Sequence, residues 1–273
     1  MPRMMRALAA ALLFAATAPA LAGRPCVEVA PKPDAVGKAL ALGNQVQAVL
    51  EELNPPVALI ARAGQNLDQY GLTYSHMAFV MRDHPNGRWS IVHVLNKCGT
   101  AESDLYVEGL GAFFLDDPYR LVAGIMLLPE PAASRLPAIL AGTEARRMHG
   151  ARYSMLAYPF STMYQNSNGW LLETLARALE PENRIDTREA AQAYLKLRGY
   201  QPTELRIGTF TRLGGRMFRA NIAFDDHPGE LRWNDRIQTV TVESVFRLIE
   251  GQAPFAKCSQ RACGGKLVTV ELP

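Results

Sequence analysis

The sequence predicts an α+β protein in which an antiparallel sheet is packed with helices. Apolar residues recur at helical spacing over residues 34–53, and two later apolar runs, residues 74–82 and 88–96, are separated by a short polar segment. That segment contains Asn86-Gly87, and an Asn-Gly pair between two apolar runs is a strong signal for a β-hairpin. Helical and hairpin patterns in one chain indicate the α+β class.

The other predicted elements follow from local signals along the chain. Pro55-Pro56 ends the first helix, and the apolar run Val57–Ala63 after it predicts a strand. Prolines also end a second such strand at residues 119–128, whereas residues 109–117 predict a loop. The remaining predictions are helices over residues 133–148, 170–179, 187–198 and 244–251, and strands over residues 216–224 and 237–242.

The composition is that of an ordered globular chain with little excess charge. The chain has 273 residues, of which 48% are hydrophobic and 20% are charged, and its formal net charge is +3. Two of the positive charges, Arg3 and Arg6, lie in an N-terminal segment that we expect to be removed, which would lower the net charge to +1. A nearly neutral chain gives no reason to expect a nucleic-acid partner, since such proteins usually carry a clustered basic face.

The first 22 residues have the pattern of a secretory signal peptide. A basic start is followed by an apolar stretch over residues 7–18 and by Ala20-Leu21-Ala22 in front of Gly23. The apolar stretch is shorter than the ~20 residues that a bilayer-spanning helix needs. We expect cleavage after Ala22 and a soluble exported protein, periplasmic or secreted, which folds as a single domain over residues 23–273 and has no transmembrane segment.

All four cysteines lie after the predicted cleavage site. An even number of cysteines in an exported chain predicts disulfides, and three pairings are open. The simplest is a local bridge between Cys258 and Cys263, which leaves Cys26 with Cys98. Zinc is the alternative, but the Cys-x4-Cys spacing has no second half, so we expect neither a metal nor another cofactor. Paired cysteines would leave no thiol to act as a nucleophile.

Two histidines are predicted to share one face of the hairpin. If Asn86-Gly87 is a two-residue turn, the numbers of paired residues sum to 173, and if residues 84–87 form a four-residue loop, they sum to 171. Either sum places His76 and His93 on the same face, because strand side chains alternate with a period of two. With the sum of 171 the two histidines are diagonal neighbours. The alternative is that each is a core histidine satisfied by a hydrogen bond.

A serine is predicted at the start of the helix over residues 170–179. Ser, Asn and Gly directly before an amphipathic run, here within residues 165–169, mark a helix N-terminus. The backbone N–H groups and the dipole there favour developing negative charge, so a nucleophile at Ser167 would have an oxyanion-stabilising environment. His76 would be its base, and His93 would orient His76. The alternative is that Ser167 is the N-cap, unless a neighbouring asparagine takes that role.

The order of these parts resembles the permuted papain-like fold of the NlpC-type superfamily. In that superfamily a strand with Ser/Thr-His-x-Gly-hydrophobic comes first, a second strand supplies a polar orienting residue, and Asn-Cys-x-x-Phe opens the nucleophile helix. Residues 74–80 are similar to the first motif, and His93 lies on the second strand. Residues 166–170, with Tyr153 before them, are similar to the third motif.

The resemblance implies a papain-like core over about residues 57–180 and a C-terminal α/β extension over about residues 186–273. It also implies hydrolysis of an amide or ester, or acyl transfer, with Ser167 standing where the superfamily has cysteine. The implied substrate is a cell-envelope peptide, glycan or lipid acyl group. The alternative function is a catalytically inactive module that binds a peptide or glycan of the cell envelope in the same groove.

The whole chain also resembles a bacterial family known only as domain of unknown function 2145. The similar segments are Cys98-Gly99-Thr100, residues 165–168 and Asp225-Asp226-His227-Pro228. This resemblance implies no activity. The last segment contains metal-ligand residue types, but consecutive loop residues seldom converge on one ion, and this composition is common in turns. We therefore expect a turn there.

Several residues near the predicted nucleophile are further candidates for the site. Those expected to contact substrate are Tyr153, Asn166, Asn168 and Trp170. For the aromatic candidates, which include Tyr164, the alternative is packing in the core, as is common beside a helix start. Glu173, which we expect to be solvated or paired, and Asn96, near the end of the second hairpin strand, are candidates for orienting a histidine.

Overall fold

The computed structural model describes residues 33–115, 118–180, 182, 184–251 and 265–272. The predicted signal peptide, residues 1–22, and three of the cysteines, Cys26, Cys258 and Cys263, lie outside these ranges. Among the helices that the model describes, none is long and apolar enough to cross a membrane.

The described residues form a six-stranded antiparallel sheet with helices on both faces. Its strands are β1 Val57–Ala63, β2 His76–His84, β3 Gly87–Asn96, β4 Ser103–Glu108, β5 Arg120–Leu127 and β8 Leu267–Glu271. Their order is β4-β3-β2-β1-β5-β8, and neighbouring strands are antiparallel. A small second sheet pairs β6 Thr203–Arg206 with β7 Arg236–Thr239. The predicted α+β class with an antiparallel sheet is confirmed.

The helices follow the predicted positions in most places. They are α1 Pro33–Leu53, α2 Leu110–Leu115, α3 Ala132–Ala141, α4 Glu144–Arg147, α5 Ser167–Leu179, α6 Arg188–Leu197, α7 Thr209–Phe218, α8 Gly229–Trp233 and α9 Val242–Gly251. A 3₁₀ turn lies at Asp68–Tyr70. Prolines 55 and 56 follow α1 after Asn54, as expected for residues that cannot continue a helix.

Each face of the main sheet has its own hydrophobic core, because the side chains of a strand alternate between the faces. One face is covered by α1 and α2 and buries Ile60, Val80 and Ile91. The other face is covered by α3, α5 and α9 and buries Leu59 and Phe79. Helix α5 packs on β2 and β3, and this packing fixes its first turn beside the start of β2.

The hairpin has the register in which paired residue numbers sum to 171. Phe79 lies opposite Val92, and Asp83 lies opposite Arg88. The pairing continues to His84 and Gly87, so the loop contains only residues 85 and 86. Gly87 has a φ of 137°, which other residues rarely adopt. The predicted shared face for the two strand histidines is confirmed.

Two predicted elements are wrong. Residues 109–117 were expected to be a loop, but α2 forms there because Leu110, Phe113 and Phe114 recur at helical spacing and are all buried. Residues 216–224 were expected to be a strand, but α7 extends to Phe218. The described backbone after α7 forms isolated hydrogen bonds and does not pair with a neighbouring strand. For example, the Asn221 carbonyl oxygen accepts a hydrogen bond from Met155 N.

One predicted helix is divided, and three strands were not predicted. The helix expected over residues 133–148 is interrupted at Gly142, where a Cβ would lie 2.9 Å from the Ala138 carbonyl oxygen. The strands that the sequence analysis missed are β4, β6 and β8. Each is at most six residues long and lies at a sheet edge or in the small sheet, so its alternation of polar and apolar residues is weak.

The C-terminal part of the chain completes the core of the main sheet. Strand β8 pairs with β5, and α9 contributes Val245 and Phe246 to the core beneath α5. The small sheet has its own cluster, which includes Leu205 and Ile237. The finer expectation, a permuted papain-like core over residues 57–180, stays a prediction.

Candidate active site

A cleft of about 420 Å³ lies where β2 and the end of β3 meet the N-terminus of α5. It contains two of the three predicted catalytic side chains, His76 and Ser167. The other polar or charged residues of its lining include Arg62, Ser75, Asn96, Tyr153, Arg219 and Asn221. A cleft of this size can hold a small acyl or peptide group next to the serine hydroxyl.

Ser167 stands at the first position of α5 and is not its N-cap. The cap is Asn166, whose side-chain Oδ1 accepts a hydrogen bond from Gly169 N at 2.6 Å. A Cβ on residue 169 would lie 2.9 Å from that Oδ1, so the tight first turn requires glycine. The N-cap interpretation of Ser167 is therefore wrong, and its hydroxyl points to His76, whose Nδ1 lies 3.2 Å from the serine Oγ.

The two hairpin histidines are in direct contact. The His76 Nε2 lies 2.9 Å from the His93 Nδ1, and the ring centroids are 5.1 Å apart. Both rings pack against Phe113 of α2, with centroid distances of 5.9 and 5.8 Å. The contact follows from the register, since it makes these two side chains diagonal neighbours on one face of the sheet.

A carboxylate follows the two histidines. Glu108 Oε1 lies 3.2 Å from His93 Nε2, close enough for an ion pair, although the geometry is not that of a hydrogen bond. The pairing of β3 with β4 puts His93 opposite Tyr106, so Glu108 is its diagonal neighbour on the same face. The sequence analysis did not identify Glu108 because it did not predict β4.

The protonation state of His76 is set by its surroundings. Burial, the nearby Arg62 guanidinium and the ring of His93 all hold the pKa of His76 well below its ordinary value of 6.5. The imidazole is therefore neutral at neutral pH. One set of tautomers fits the contacts: Ser167 donates to His76 Nδ1, His76 Nε2–H donates to His93 Nδ1, and His93 Nε2–H faces Glu108.

Arg62 is a second charged group that sequence reasoning missed. It lies on β1 directly opposite His76, and its side chain is buried. Its guanidinium donates to the Phe113 carbonyl oxygen and lies 4.8 Å from the centroid of the Phe113 ring. It was not singled out because it stands in an otherwise apolar strand, where no local pattern marks a site.

Tyr153 is the predicted substrate-contacting residue that lies nearest the serine. Its side chain is buried at the cleft wall, next to Ser167. Burial raises the pKa of the Tyr153 phenol, and the neighbouring Ser167 hydroxyl opposes this in part. The phenol therefore stays protonated at neutral pH, so that it can donate a hydrogen bond.

The other three residues predicted to contact substrate hold α5 in place. Asn166 Nδ2 donates to the carbonyl oxygens of Met155 and Val240, and Asn168 Oδ1 accepts from Met77 N at 3.2 Å. Trp170 is completely buried and donates from Nε1 to the Ala145 carbonyl oxygen at 2.9 Å. None of the three is part of the cleft lining. Their positions favour structural roles over contact with substrate.

Neither further candidate for orienting a histidine contacts one. Glu173 is buried and accepts hydrogen bonds from Arg188, Gln165 and Gln192. Of the two expectations for this residue, solvated or paired, the second is therefore confirmed. Burial raises its pKa, and Arg188 opposes this. The Asn96 side chain lines the cleft but donates to the carbonyl oxygens of the following turn.

The segment Asp225-Asp226-His227 forms a turn that is tied to its surroundings. His227 Nδ1 lies 2.9 Å from Asp226 Oδ1, and His227 Nε2 lies 3.0 Å from the Gln238 carbonyl oxygen. The Tyr164 hydroxyl donates to Asp225 at 3.2 Å. In the described part of the chain, no group of three or more His, Cys, Asp or Glu side chains is placed to hold a metal ion.

Cys98 lies in the cleft lining and is not a free thiol, because it is disulfide-bonded. The other three cysteines lie outside the described ranges, so no disulfide joins two described residues. The predicted pairing of Cys26 with Cys98 therefore stays a prediction.

A second serine–histidine contact, which the sequence analysis did not identify, lies away from the cleft. Ser103 Oγ is 3.0 Å from His149 Nε2 and 3.5 Å from the Gly150 carbonyl oxygen. Ser103 is almost completely buried, and neither Ser103 nor His149 lines the cleft. This pair connects the start of β4 to the segment after α4.

Comparisons with known proteins give a family match without a function. A family model described as "Uncharacterized protein conserved in bacteria (DUF2145)" matches residues 49–249. That range includes β2, β3 and the start of α5, and so the whole serine–histidine cluster. No curated protein and no solved structure matches the chain.

Proposed function

The chain belongs to this bacterial family of uncharacterised proteins, and from the geometry of the cleft we propose that it is an exported hydrolase or acyltransferase with a serine nucleophile. The observation that carries the proposal is the 3.2 Å contact between Ser167 Oγ and His76 Nδ1 at the wall of the cleft. A distance of this size is within reach of proton transfer from a nucleophile to its base.

The first step is attack on the carbonyl carbon of an amide or ester. His76 takes the hydroxyl proton at Nδ1 while Ser167 Oγ forms a bond to the carbonyl carbon, and the carbonyl electron pair moves onto its oxygen. The low pKa of His76 supports this role, since the imidazole is neutral and its lone pair is available over a wide range of pH. The products of the step are a tetrahedral oxyanion and an imidazolium.

The second step releases the leaving group. The carbonyl re-forms as the C–N or C–O bond breaks, and the leaving nitrogen or oxygen takes the proton from His76 Nδ1. The acyl group stays on Ser167 as an ester. Water in a hydrolase, or an alcohol or amine in an acyltransferase, then attacks this ester with His76 again as the base, and Ser167 regains its proton.

Two kinds of donor are available to the oxyanion. The first N–H groups of a helix have no acceptor within the helix. In α5 the Asn166 side chain accepts from the Gly169 N–H. The N–H groups of Ser167 and Asn168 are therefore the donors closest to the nucleophile. The protonated Tyr153 hydroxyl is the second kind of donor. Removal of one such donor typically slows catalysis about 10²–10³-fold.

His93 and Glu108 are assigned to positioning His76. A bond from His76 Nε2–H to His93 Nδ1 keeps the lone pair of Nδ1 directed at Ser167. Glu108 faces the other nitrogen of His93 and favours the tautomer that this bond needs. The arrangement resembles that of serine hydrolases in which an acid orients the base, with one additional ring between them.

The fold and the setting are part of the proposal. The chain order of a strand histidine, a histidine on the next strand and a nucleophile at a helix start supports a permuted papain-like core. The signal sequence supports export to the periplasm or beyond, where a cell-envelope peptide, glycan or lipid acyl group is the expected substrate.

A fluorophosphonate probe tests the nucleophile, because it reacts covalently with activated serines. We expect the wild-type protein to be labelled and Ser167→Ala to remain unlabelled. Ser103→Ala is the matched control, since Ser103 also contacts a histidine but lies outside the cleft lining, and it should be labelled at the wild-type rate. An unlabelled wild type, or labelling that survives Ser167→Ala, would contradict the proposal.

A binding module is the second candidate, and one observation favours it. The Ser167 hydroxyl is already held by His76, as in a polar anchor for a ligand. In that case the probe would not react, and peptide or glycan fragments of the cell wall would raise the melting temperature in proportion to the logarithm of their concentration. Absence of any such shift would contradict it.

A further inference from the structure

A second cleft adjoins the one that contains Ser167. Its volume is about 300 Å³, and its lining includes Arg152, Tyr153, Tyr164 and Arg219. Tyr153 and Arg219 also line the cleft of the serine, so the two clefts meet at these side chains. A substrate whose carbonyl lies at Ser167 can therefore extend into the second cleft, which we name the arginine cleft.

The charged residues of the arginine cleft are all positive. Arg152 and Arg219 are exposed, and the described lining contains neither aspartate nor glutamate. The described lining of the cleft that contains Ser167 also lacks both. The chain as a whole has 29 basic and 26 acidic residues, so this absence of acids does not follow from the composition. A concave surface lined by one sign of charge attracts small ions of the other sign.

Neither of the two guanidinium groups is used to hold the fold. Among the described residues, Arg152 and Arg219 form no ion pair. The buried Arg212, by contrast, pairs with Asp235 at 2.8 Å. The Arg152 guanidinium stacks on Tyr164, with its Cζ 4.9 Å from the ring centroid, and such stacking leaves the N–H edge available to an acceptor. Both cations are thus placed to bind an anion from outside the chain.

Two acidic side chains of neighbouring segments have other contacts. Asp225 Oδ1 accepts a hydrogen bond from the Tyr164 hydroxyl at 3.2 Å. Glu102 is opposite Arg152 in an isolated β-bridge, and its carboxylate lies 3.8 Å from Lys97 Nζ. Neither acidic residue lines the arginine cleft. The positive charge of the cleft is therefore not neutralised by an acid of its own wall.

We propose that Arg152 and Arg219 bind an oxyanion of the substrate, a carboxylate or a phosphate, while the carbonyl to be attacked lies at Ser167. This inference rests on the proposed function, because it extends the same site. A guanidinium presents parallel N–H groups that match two oxygens of such an anion. The substrate class is then an amide or ester with an acidic group close to the bond that is broken.

The charge of the arginine cleft favours this class over uncharged substrates. A neutral glycan or a plain lipid acyl chain would form no ion pair with the two arginines, and a cationic segment would be repelled. An acyl compound with an acidic group, such as a peptide that ends in a carboxylate, places its carbonyl and its anion in the two adjoining clefts at the same time.

Three ligands that share a benzamide group test this inference. N-benzoylglycine carries a carboxylate, N-benzoylglycinamide is its uncharged counterpart, and N-benzoyl-O-phosphoethanolamine carries a phosphate. Ligand-observed NMR gives the dissociation constant of each with the full exported chain carrying Ser167→Ala, so that no turnover intervenes. We expect at least one anion to bind about fivefold tighter or more than the amide, and high salt to reduce the difference. The anion that binds more tightly identifies the source of the oxyanion.

Matched variants in the Ser167→Ala chain test the two arginines. Arg152→Gln combined with Arg219→Gln should make the three dissociation constants nearly equal. Both residues are exposed, so the fold should be retained, and thermal melts check this. The control is Arg146→Gln combined with Arg206→Gln, which removes the same charge from exposed positions that line neither cleft. The control should keep the preference for the anion.

Three results would overturn the inference. The first is binding of the amide as tight as that of both anions, or no binding of either anion in the millimolar range. The second is a preference for the anion that survives in the double cleft variant. The third is an equal loss of preference in the control, which would indicate attraction by net charge alone.

Failure of this inference is distinct from failure of the proposed hydrolase. The dissociation constants are measured without labelling of Ser167. A wild-type protein that is labelled by the fluorophosphonate probe but shows no preference for the anions would contradict this inference alone. A preference for the anions without any labelling would contradict the proposed hydrolase alone.

Discussion

Two serine–histidine contacts occur among the described residues, and they differ in what surrounds them. Ser167 and His76 are 3.2 Å apart, and Ser103 and His149 are 3.0 Å apart. Burial lowers the pKa of both histidines. By distance and by the direction of the pKa shift alone, the two pairs would be equally good candidates for a nucleophile and its base.

The difference lies in access and in the second ring nitrogen. Ser167 stands at a helix N-terminus and lines a cleft, whereas Ser103 does not line it and also contacts the Gly150 carbonyl oxygen. His76 is in contact through its other nitrogen with His93, and Glu108 on the far side of His93 favours the tautomer of His76 whose Nδ1 lone pair faces Ser167. A serine–histidine distance is therefore weak evidence by itself, and the open cleft together with the oriented base makes the first pair the candidate site.

The largest expected effect separates the two histidines. His76→Gln keeps a polar side chain beside the serine but cannot accept its proton, so labelling by the fluorophosphonate probe should slow about 10²–10⁴-fold. His149→Gln should label at the wild-type rate. The measurement is the second-order labelling rate of each variant, with thermal melts to check folding. Equal slowing in both variants would remove the distinction between the two pairs.

A smaller effect is expected at the end of the chain of contacts. Glu108→Gln removes the carboxylate that faces His93, and a partly exposed contact of this kind contributes about 1 kcal/mol or less, which corresponds to at most roughly fivefold in rate. Asp104→Asn serves as the control. Asp104 lies on the same strand, but its carboxylate contacts Leu105 N and the Lys97 ammonium and not a histidine of the site. A Glu108→Gln rate equal to that of the wild type would show that Glu108 does not position His93.

The pH dependence of labelling tests what keeps His76 neutral. Because burial, Arg62 and His93 lower the pKa of His76, the wild-type labelling rate should fall only well below pH 6.5. Arg62→Met removes one of these causes, so the acid limb of the profile should move up toward pH 6.5, with little change at pH 8. An unmoved limb would mean that His76 is not the titrating base.

The smallest expected effect is on stability. The unfolded chain protonates His76 near pH 6.5, whereas the folded chain does so only at much lower pH. The unfolded state therefore binds more protons between these limits, and the free energy of unfolding falls as the pH is lowered below 6.5. The fall should be shallower in His76→Gln than in the wild type by urea denaturation at several pH values. The same slope in both would contradict the buried neutral state.

Local patterns in the sequence were sufficient for the elements that carry the two histidines and the serine. The period of two places His76 and His93 on one face in either register that the Asn-Gly turn allows, and the Ser-Asn-Gly run predicts the start of α5. The choice between Asn166 and Ser167 as the N-cap required the structure, because both residue types are good caps and only the geometry distinguishes them.

The residues that sequence reasoning missed are those whose role depends on distant pairing. Glu108 reaches His93 only because β4 pairs with β3, and Arg62 reaches His76 only because β1 pairs with β2. Trp170 was expected to contact substrate because it is close to the nucleophile in sequence. In the structure it lies in the core and donates to the carbonyl oxygen of the distant Ala145. Neither kind of contact leaves a mark at short range in the sequence.

The sequence by itself determined the α+β class, the hairpin, the shared face of the histidines and the helix that begins near Ser167, because each depends on periodicity or on the chemistry of a few neighbouring residues. The tertiary structure decided which serine–histidine pair opens onto a cleft, which carboxylate faces the second histidine, and which arginines line the adjoining clefts. These properties depend on the packing of segments that are far apart in the chain, and pairing over such distances is set by the whole fold and not by local preference.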